Sequence, residues 1–222
     1  MTALVAAQVH RLLPRTGDAH VVLGEVPAAQ GIADVVAVRF DAAAVRHRLN
    51  LGVGPLCSPL RVRMLDLLRP DRGMRIATLA RKLGSNPRAL TRSTLGPLTD
   101  MGLIEVSDGL VRSSGAWRPA GTQLTAVELK LSKWRDALRQ ADNFALSADR
   151  TWVVLDETRS CAAVAATGYF RQLGIGLALL APTGRLRTVV SPRGRRPRRW
   201  LRALMAERAW AAAEPEVAAL AA

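Results

Sequence analysis

Two apolar runs set far apart in the chain, residues 31–38 and 127–131, constrain its fold more than any other feature. Both have the β-branched and aliphatic density of a strand. In a strand, residues two apart share a face. Val127, Leu129 and Leu131 are therefore expected to point into a core, with Glu128 and Lys130 together on the other side. Asp34 stands at the start of the upstream run. If the two runs are neighbours in one sheet, two carboxylates and an ammonium meet on one patch. Such a set suits a divalent cation beside a phosphodiester.

Composition supports a packed globular chain with an anionic partner. The 222 residues are 49% hydrophobic, and the formal net charge is +14. That balance favours nucleic acid. Nearly all the positive charge is arginine in an alanine-rich chain, as GC-rich coding would produce, so only its clustering is informative. Lysine occurs only as Lys82, Lys130 and Lys133. A compact ammonium and a planar guanidinium are not interchangeable at a reactive phosphate, which gives Lys130 weight. Cys57 and Cys161 are isolated, and His10, His20 and His47 are scattered, so neither a disulfide framework nor a zinc site is expected. No run is long enough to cross a bilayer, no charged leader precedes an apolar core, and a cytoplasmic protein with no membrane partner is expected. The end, residues 219–222, is expected to be a frayed alanine-rich terminus.

Four regions follow from patterning: 1–54, 55–116, 117–192 and 193–222. The second carries helix punctuation. Ser58-Pro59 and Asn86-Pro87 are N-caps with proline in the first turn, and Gly84 is a C′ residue. The stripes are Leu60, Met64, Leu67, Leu68; then Ile76, Leu79, Ala80, Leu83; then Leu90, Leu95, Leu98, Met101. Gly96-Pro97 predicts a kink or a late restart in the third helix. Two short strands joined through Ser107-Asp108-Gly109 form a hairpin. Three helices and a hairpin resemble a winged helix-turn-helix domain. The resemblance implies that the third helix enters the DNA major groove and presents Arg88, Thr91 and Arg92. A protein–protein interaction module is the alternative.

Beyond residue 120 the pattern alternates strand and helix. Ser132 is expected to cap a helix burying Trp134, Ala137, Leu138, Ala141 and Ala145; residues 162–172 read as one helix. Together with residues 20–40, this region resembles the PD-(D/E)xK nuclease superfamily, whose motif residues would fall on Asp34, Glu128 and Lys130. The resemblance adds Gln140 and Glu25 as further site residues. It implies an α/β fold whose mixed-sheet, restriction-endonuclease-like core is interrupted by the winged helix-turn-helix domain. Ala33 stands where the family's proline usually does. Asp34, Glu128 and the Leu129 carbonyl would hold Mg²⁺ or Mn²⁺, hard cations that take oxygen ligands. Lys130 would orient or deprotonate water. The expected activity is metal-dependent hydrolysis of DNA phosphodiester bonds. A non-catalytic transcriptional regulator, using the nuclease-like fold for dimerisation or sensing, is the competing reading, and a homodimer fits either. An RNA-processing role fits the charge but has no module to support it.

Arg193, Arg195, Arg196, Arg198, Arg199 and Arg202 form the densest basic cluster, and the first five are expected to contact DNA phosphates. A helix over 198–213 is expected to dock on the core or on a second subunit, with Trp200 packing that helix. Trp117, Trp134 and Trp152 read as core or interface residues.

Overall fold

A computed structural model describes residues 1–13 and 20–221. In chain order the elements are α1 (Thr2–Gln8), β1 (Val21–Pro27), β2 (Ile32–Phe40), α2 (Ala42–Asn50), α3 (Pro59–Leu67), β3 (Met74–Arg75), α4 (Ile76–Leu83), α5 (Pro87–Leu90) and α6 (Gly96–Asp100). Then come β4 (Ile104–Ser107), β5 (Leu110–Ser113), β6 (Gly121–Lys130), α7 (Trp134–Phe144), β7 (Arg150–Asp156), α8 (Cys161–Ala165), α9 (Thr167–Leu173), β8 (Gly176–Leu180), β9 (Leu186–Val190), α10 (Arg199–Ala212) and α11 (Glu214–Ala219). The chain is an α/β protein with a mixed six-strand sheet in the order β1-β2-β6-β7-β8-β9. The pairs β1–β2, β2–β6 and β8–β9 are antiparallel, while β6–β7 and β7–β8 are parallel. Among the described residues no helix is long and apolar enough to cross a membrane.

Both faces of the sheet are covered, which is why β7 reads as a continuous apolar run. Val127 and Leu129 face Val5 of α1 and Val9 and Leu12 in the turn that follows it. On the other side, Leu124 and Ala126 pack on α10, α11 and Phe144, and Val153 and Leu155 pack on α7 and Phe170. Leu131 lies beyond the strand end and is 55% exposed, contrary to the alternation that placed it in the core.

Between β2 and β6 the chain builds α2, then α3, α4 and the run from α5 to α6, and a three-stranded antiparallel sheet, β3-β5-β4. The punctuation acts as anticipated. Ser58 Oγ accepts from the Arg61 N–H, Asn86 Oδ1 from the Arg88 N–H, and Gly84 takes the left-handed conformation. Asp108 and Gly109 both have positive φ, the requirement of a two-residue hairpin with the sheet's twist. At Gly96-Pro97 the third helix does not break. Residues Thr91–Leu95 widen into a π-helical turn, which absorbs the proline's missing N–H and carries the helix through.

Three expectations need correction. Ser132 does not cap α7; Lys133 is its N-cap residue and no side chain bonds there. The helix over 162–172 is divided at Ala166. The terminus is not frayed: α11 buries Val217 and the Ala221 carbonyl accepts from Arg46 Nε at 2.7 Å; Ala222 lies outside the described residues. The helix α2, capped by Asp41 Oδ1 on the Ala43 and Ala44 N–H groups, was not anticipated.

The helix α10 ties the molecule together. Met205, Ala206, Ala209 and Trp210 pack into the core above the main sheet, while Ala203 and Leu204 complete the core of the inserted segment. Trp200 is half-buried against that second core, with the Arg63 guanidinium 5.6 Å from its ring centroid.

Candidate carboxylate–lysine site and basic surfaces

The antiparallel register of β2 and β6 pairs Val35 with Val127, so Asp34 and Glu128 come next to each other across the strands. The parallel register on the other side sets Glu128 beside Val153 and Lys130 beside Leu155. These three polar residues therefore share the sheet face covered by α7, at the boundary of the two apolar cores on that face.

Glu128 is buried, 1% exposed, and not part of a solvated charged face. Its Oε1 takes an ion pair from Lys130 Nζ at 2.7 Å, and its Oε2 is buried without any hydrogen-bond partner. Burial pushes the Glu128 carboxyl up; the Lys130 hydrogen bond opposes this and the Asp34 charge adds to it. Asp34 is half-buried, and its Oδ2 accepts from the Leu129 N–H at 2.7 Å. The hydrogen bond to Glu128 pushes the Lys130 ammonium up, and the Asp34 and Asp136 charges act in the same direction. Lys130 is therefore held protonated, suited to donating a hydrogen bond and stabilising negative charge rather than to accepting a proton.

The remaining motif residues are placed less directly. Gln140 is half-buried on α7, one turn beyond Asp136, and makes no hydrogen bond to the described residues. Asp136 itself belongs to the site through its field on Lys130. Asp136 was not among the candidate site residues; its spacing of four from Gln140 was the available signal. Glu25 is exposed at the β1 position that the register sets opposite Asp34, between the pairs Gly24–Val35 and Val26–Ala33. Its φ of 54° is left-handed, a strained conformation for a residue with a Cβ. No hydrogen bond or ion pair joins it to Asp34.

Donor chemistry fits a hard divalent cation. Asp34 and Glu128 offer oxygens, Leu129 beside Glu128 has a backbone carbonyl, and the partnerless Glu128 Oε2 is a buried acceptor in need of a positive group. Among the described residues no group of three or more His, Cys, Asp or Glu side chains gathers, so two carboxylates, backbone and water would have to share the coordination.

Two basic surfaces lie elsewhere. Arg88 and Arg92 are exposed one turn apart and, with Asn86, Ala89 and Ser93, line a shallow depression of about 450 Å³. The Thr91 hydroxyl is tied to the Pro87 carbonyl at 2.9 Å. The arginine cluster is a strap rather than a loose tail. Its backbone N–H groups at Arg193, Arg195 and Arg198 donate to the carbonyls of Gly174, Asp149 and Leu146. Arg195 pairs with Asp142 at 2.6 Å and Arg199 with Asp66 at 3.0 Å, so part of the predicted DNA charge is already neutralised. Arg193, Arg196 and Arg198 are exposed and have no ion pair among the described residues.

The strap and the carboxylates are not together. Asp149, which the strap binds, accepts from the Leu124 N–H near the start of β6, whereas Glu128 lies four residues on. At 3.3 Å per residue that is an offset of about 13 Å. The inserted segment leaves and rejoins the sheet at Phe40 and Gly121, on the strap's end. Compared with known families, curated proteins and solved structures, the chain matches no family model, no curated protein and no solved structure.

Proposed function

We propose that this chain is a DNA-binding, metal-dependent endonuclease. In this reading the inserted segment acts as a winged helix-turn-helix domain, and a PD-(D/E)xK-like core hydrolyses the phosphodiester. One observation carries the reading: Asp34, Glu128 and Lys130 converge on one sheet face, with Glu128 buried and one of its oxygens partnerless. A protein rarely buries an acidic group in this way without a use, since the cost runs to about 1–3 kcal/mol. Magnesium or manganese held by Asp34, Glu128 and the Leu129 carbonyl would supply charge neutralisation at the phosphate and an acidified water. The chain's own groups do the rest. Lys130, kept protonated, donates to a phosphate oxygen as charge grows on it. The Leu129 N–H fixes the Asp34 carboxylate in orientation. Gln140, one turn beyond Asp136 on α7, would hold a water or a backbone phosphate. Arg88 and Arg92 would contact bases or phosphates, and the strap would add salt-sensitive, sequence-independent affinity.

The test is cleavage of supercoiled, linear and single-stranded DNA by the purified chain with Mg²⁺ or Mn²⁺, with EDTA as control. Glu128→Ala and Lys130→Ala should each lower the rate by about 10²–10³. Binding without any cleavage, or cleavage indifferent to both substitutions, refutes the nuclease and leaves a non-catalytic regulator. The offset between the basic surfaces and the carboxylates is the feature that favours that second reading.

A further inference from the structure

Beside the carboxylate cluster the surface carries an aromatic ledge that the proposed hydrolysis does not use. Tyr169 on α9 is 60% exposed, the most exposed large hydrophobic side chain among the described residues. Its ring lies against Trp134, centroids 6.2 Å apart, and Trp134 is backed in turn by Phe170 at 6.0 Å. The Arg135 guanidinium sits 4.4 Å from the Trp134 ring centroid. Trp134 begins α7 four residues beyond Lys130, and one of the three residues between them is the exposed Leu131. Tyr169 is thus held from beneath by buried rings while its outer side meets water. Its hydroxyl makes no hydrogen bond to the described residues, so the phenol is not there to satisfy a polar neighbour.

The rim around this ledge is positive. Arg135 lies over Trp134, Lys133 precedes Trp134 in the chain and Arg171 follows Tyr169 by two residues, all three exposed; Asp136 on α7 is the acidic group acting on Lys130. A rigid π-face rimmed by cations, next to a place for a phosphate, has the chemistry of a nucleotide subsite. Stacking needs a base with an open face, and in a duplex both faces are covered by neighbours.

We propose that Tyr169, supported by Trp134, is a stacking platform for an unpaired nucleobase, so that the substrate presents a single-stranded, frayed or extruded nucleotide at the cleavage site. This inference rests on the nucleic-acid reading of Asp34, Glu128 and Lys130. The surfaces around Arg88 and the arginine strap would hold flanking duplex, while the ledge takes the nucleotide that leaves it.

The experiment is fluorescence anisotropy with the full chain in EDTA, so that cleavage plays no part. The probes are a labelled oligodeoxythymidine and a blunt duplex of equal length. Tyr169→Ala should weaken the single strand by about ten-fold or more and the duplex by less than about two-fold, while Tyr169→Phe retains wild-type affinity for both. Unchanged single-strand affinity in Tyr169→Ala overturns the inference. So does an equal loss for single strand and duplex, which marks a structural role. Sedimentation showing that Tyr169→Ala dissociates a dimer overturns it as well, because the ledge then covers a second copy of the chain. Cleavage run separately keeps the two readings apart. Stacking without cleavage removes only the nuclease, and cleavage with an indifferent Tyr169 removes only the platform.

Discussion

The buried ion pair between Arg48 and Glu207 should be a single point on which the fold's cohesion depends. Arg48 is 0% exposed and Glu207 2%. Arg48 Nη1 donates to Glu207 Oε1 at 2.5 Å and Nη2 to Oε2 at 3.0 Å, and the Leu56 N–H reaches Oε2 at 2.7 Å. The guanidinium also donates to the Gly54 carbonyl and lies 4.4 Å from the Trp210 ring centroid. These contacts join α2, the start of the inserted segment and α10. In Glu207→Ala, Arg48 keeps only the Gly54 carbonyl and the indole, and the Leu56 N–H loses its acceptor. An uncompensated buried charge of this kind costs about 3–5 kcal/mol. For a chain of this size each kcal/mol moves Tm by about 2–4 °C, so melting should fall by about 6–20 °C. The pair is dry, and its contribution should hardly change between low and high salt, unlike a surface pair. Arg48→Met combined with Glu207→Leu should recover most of the loss, because the cost lies in stranding one charge. Urea unfolding at two salt concentrations measures all of this. A loss below about 1 kcal/mol in Glu207→Ala, or a double variant as unstable as the single, refutes the reasoning.

Two further outcomes follow from the same packing. Cys57 has its thiol pushed up, first by burial and then by the Glu207 charge, with Arg208 opposing. A raised thiol favours folding below its unfolded value and loses that contribution as pH rises through the folded one, on the alkaline side. Iodoacetamide should therefore label Cys57 more slowly than a free thiol at pH about 8.5, and faster once Glu207→Gln removes the charge. Gly121 admits no side chain, since a Cβ there would lie 2.4 Å from the Ala206 Cβ on α10. Gly121→Ala should cost about 1–3 kcal/mol, and Ala206→Gly in the same chain should restore it. Failure of that rescue, read by thermal melting, would show that the close approach of β6 and α10 is not what fixes this glycine.

Much of the architecture was legible because the chemistry was local. Ser58, Asn86 and Gly84 punctuate helices through their own hydrogen bonds and φ, and Asp108-Gly109 sets a hairpin by positive φ alone. The pairing of β2 with β6 was raised because two carboxylates and a lysine on neighbouring strands suit a divalent cation beside a phosphodiester. What escaped was set by tertiary context. Leu131 follows the strand's alternation but falls past its end, where there is no partner to pack against. Glu128 looked like one of the outward-facing charges of an amphipathic strand. Only the cover supplied by α7, from a segment with its own periodicity, buries it. The arginine strap was read as free positive charge because its acidic partners, Asp142 and Asp66, lie far away in sequence.

The geometry of α10 gives the proposed nuclease a measurable signature. One face of this helix packs on the main sheet and the other closes the core of the inserted segment, so the two parts are held at a fixed spacing. The strap, bound at Asp149 beside Leu124, lies about 13 Å from Glu128 along β6, and the junction of the inserted segment at Gly121 about 23 Å. DNA rises 3.4 Å per base pair, so cutting should occur at least about four base pairs outside the contacted site. A rigid spacer also demands a narrow distribution of cut positions. Footprinting followed by end-label mapping on the same fragment reads both quantities. Weakening the α10 anchor with Glu207→Gln should broaden the cut distribution before binding is lost, since in the proposed reading binding would rest on Arg88, Arg92 and the strap rather than on the spacing. Cuts inside the footprint, or a distribution already broad in the native chain, would mean that α10 does not set the distance between the two surfaces.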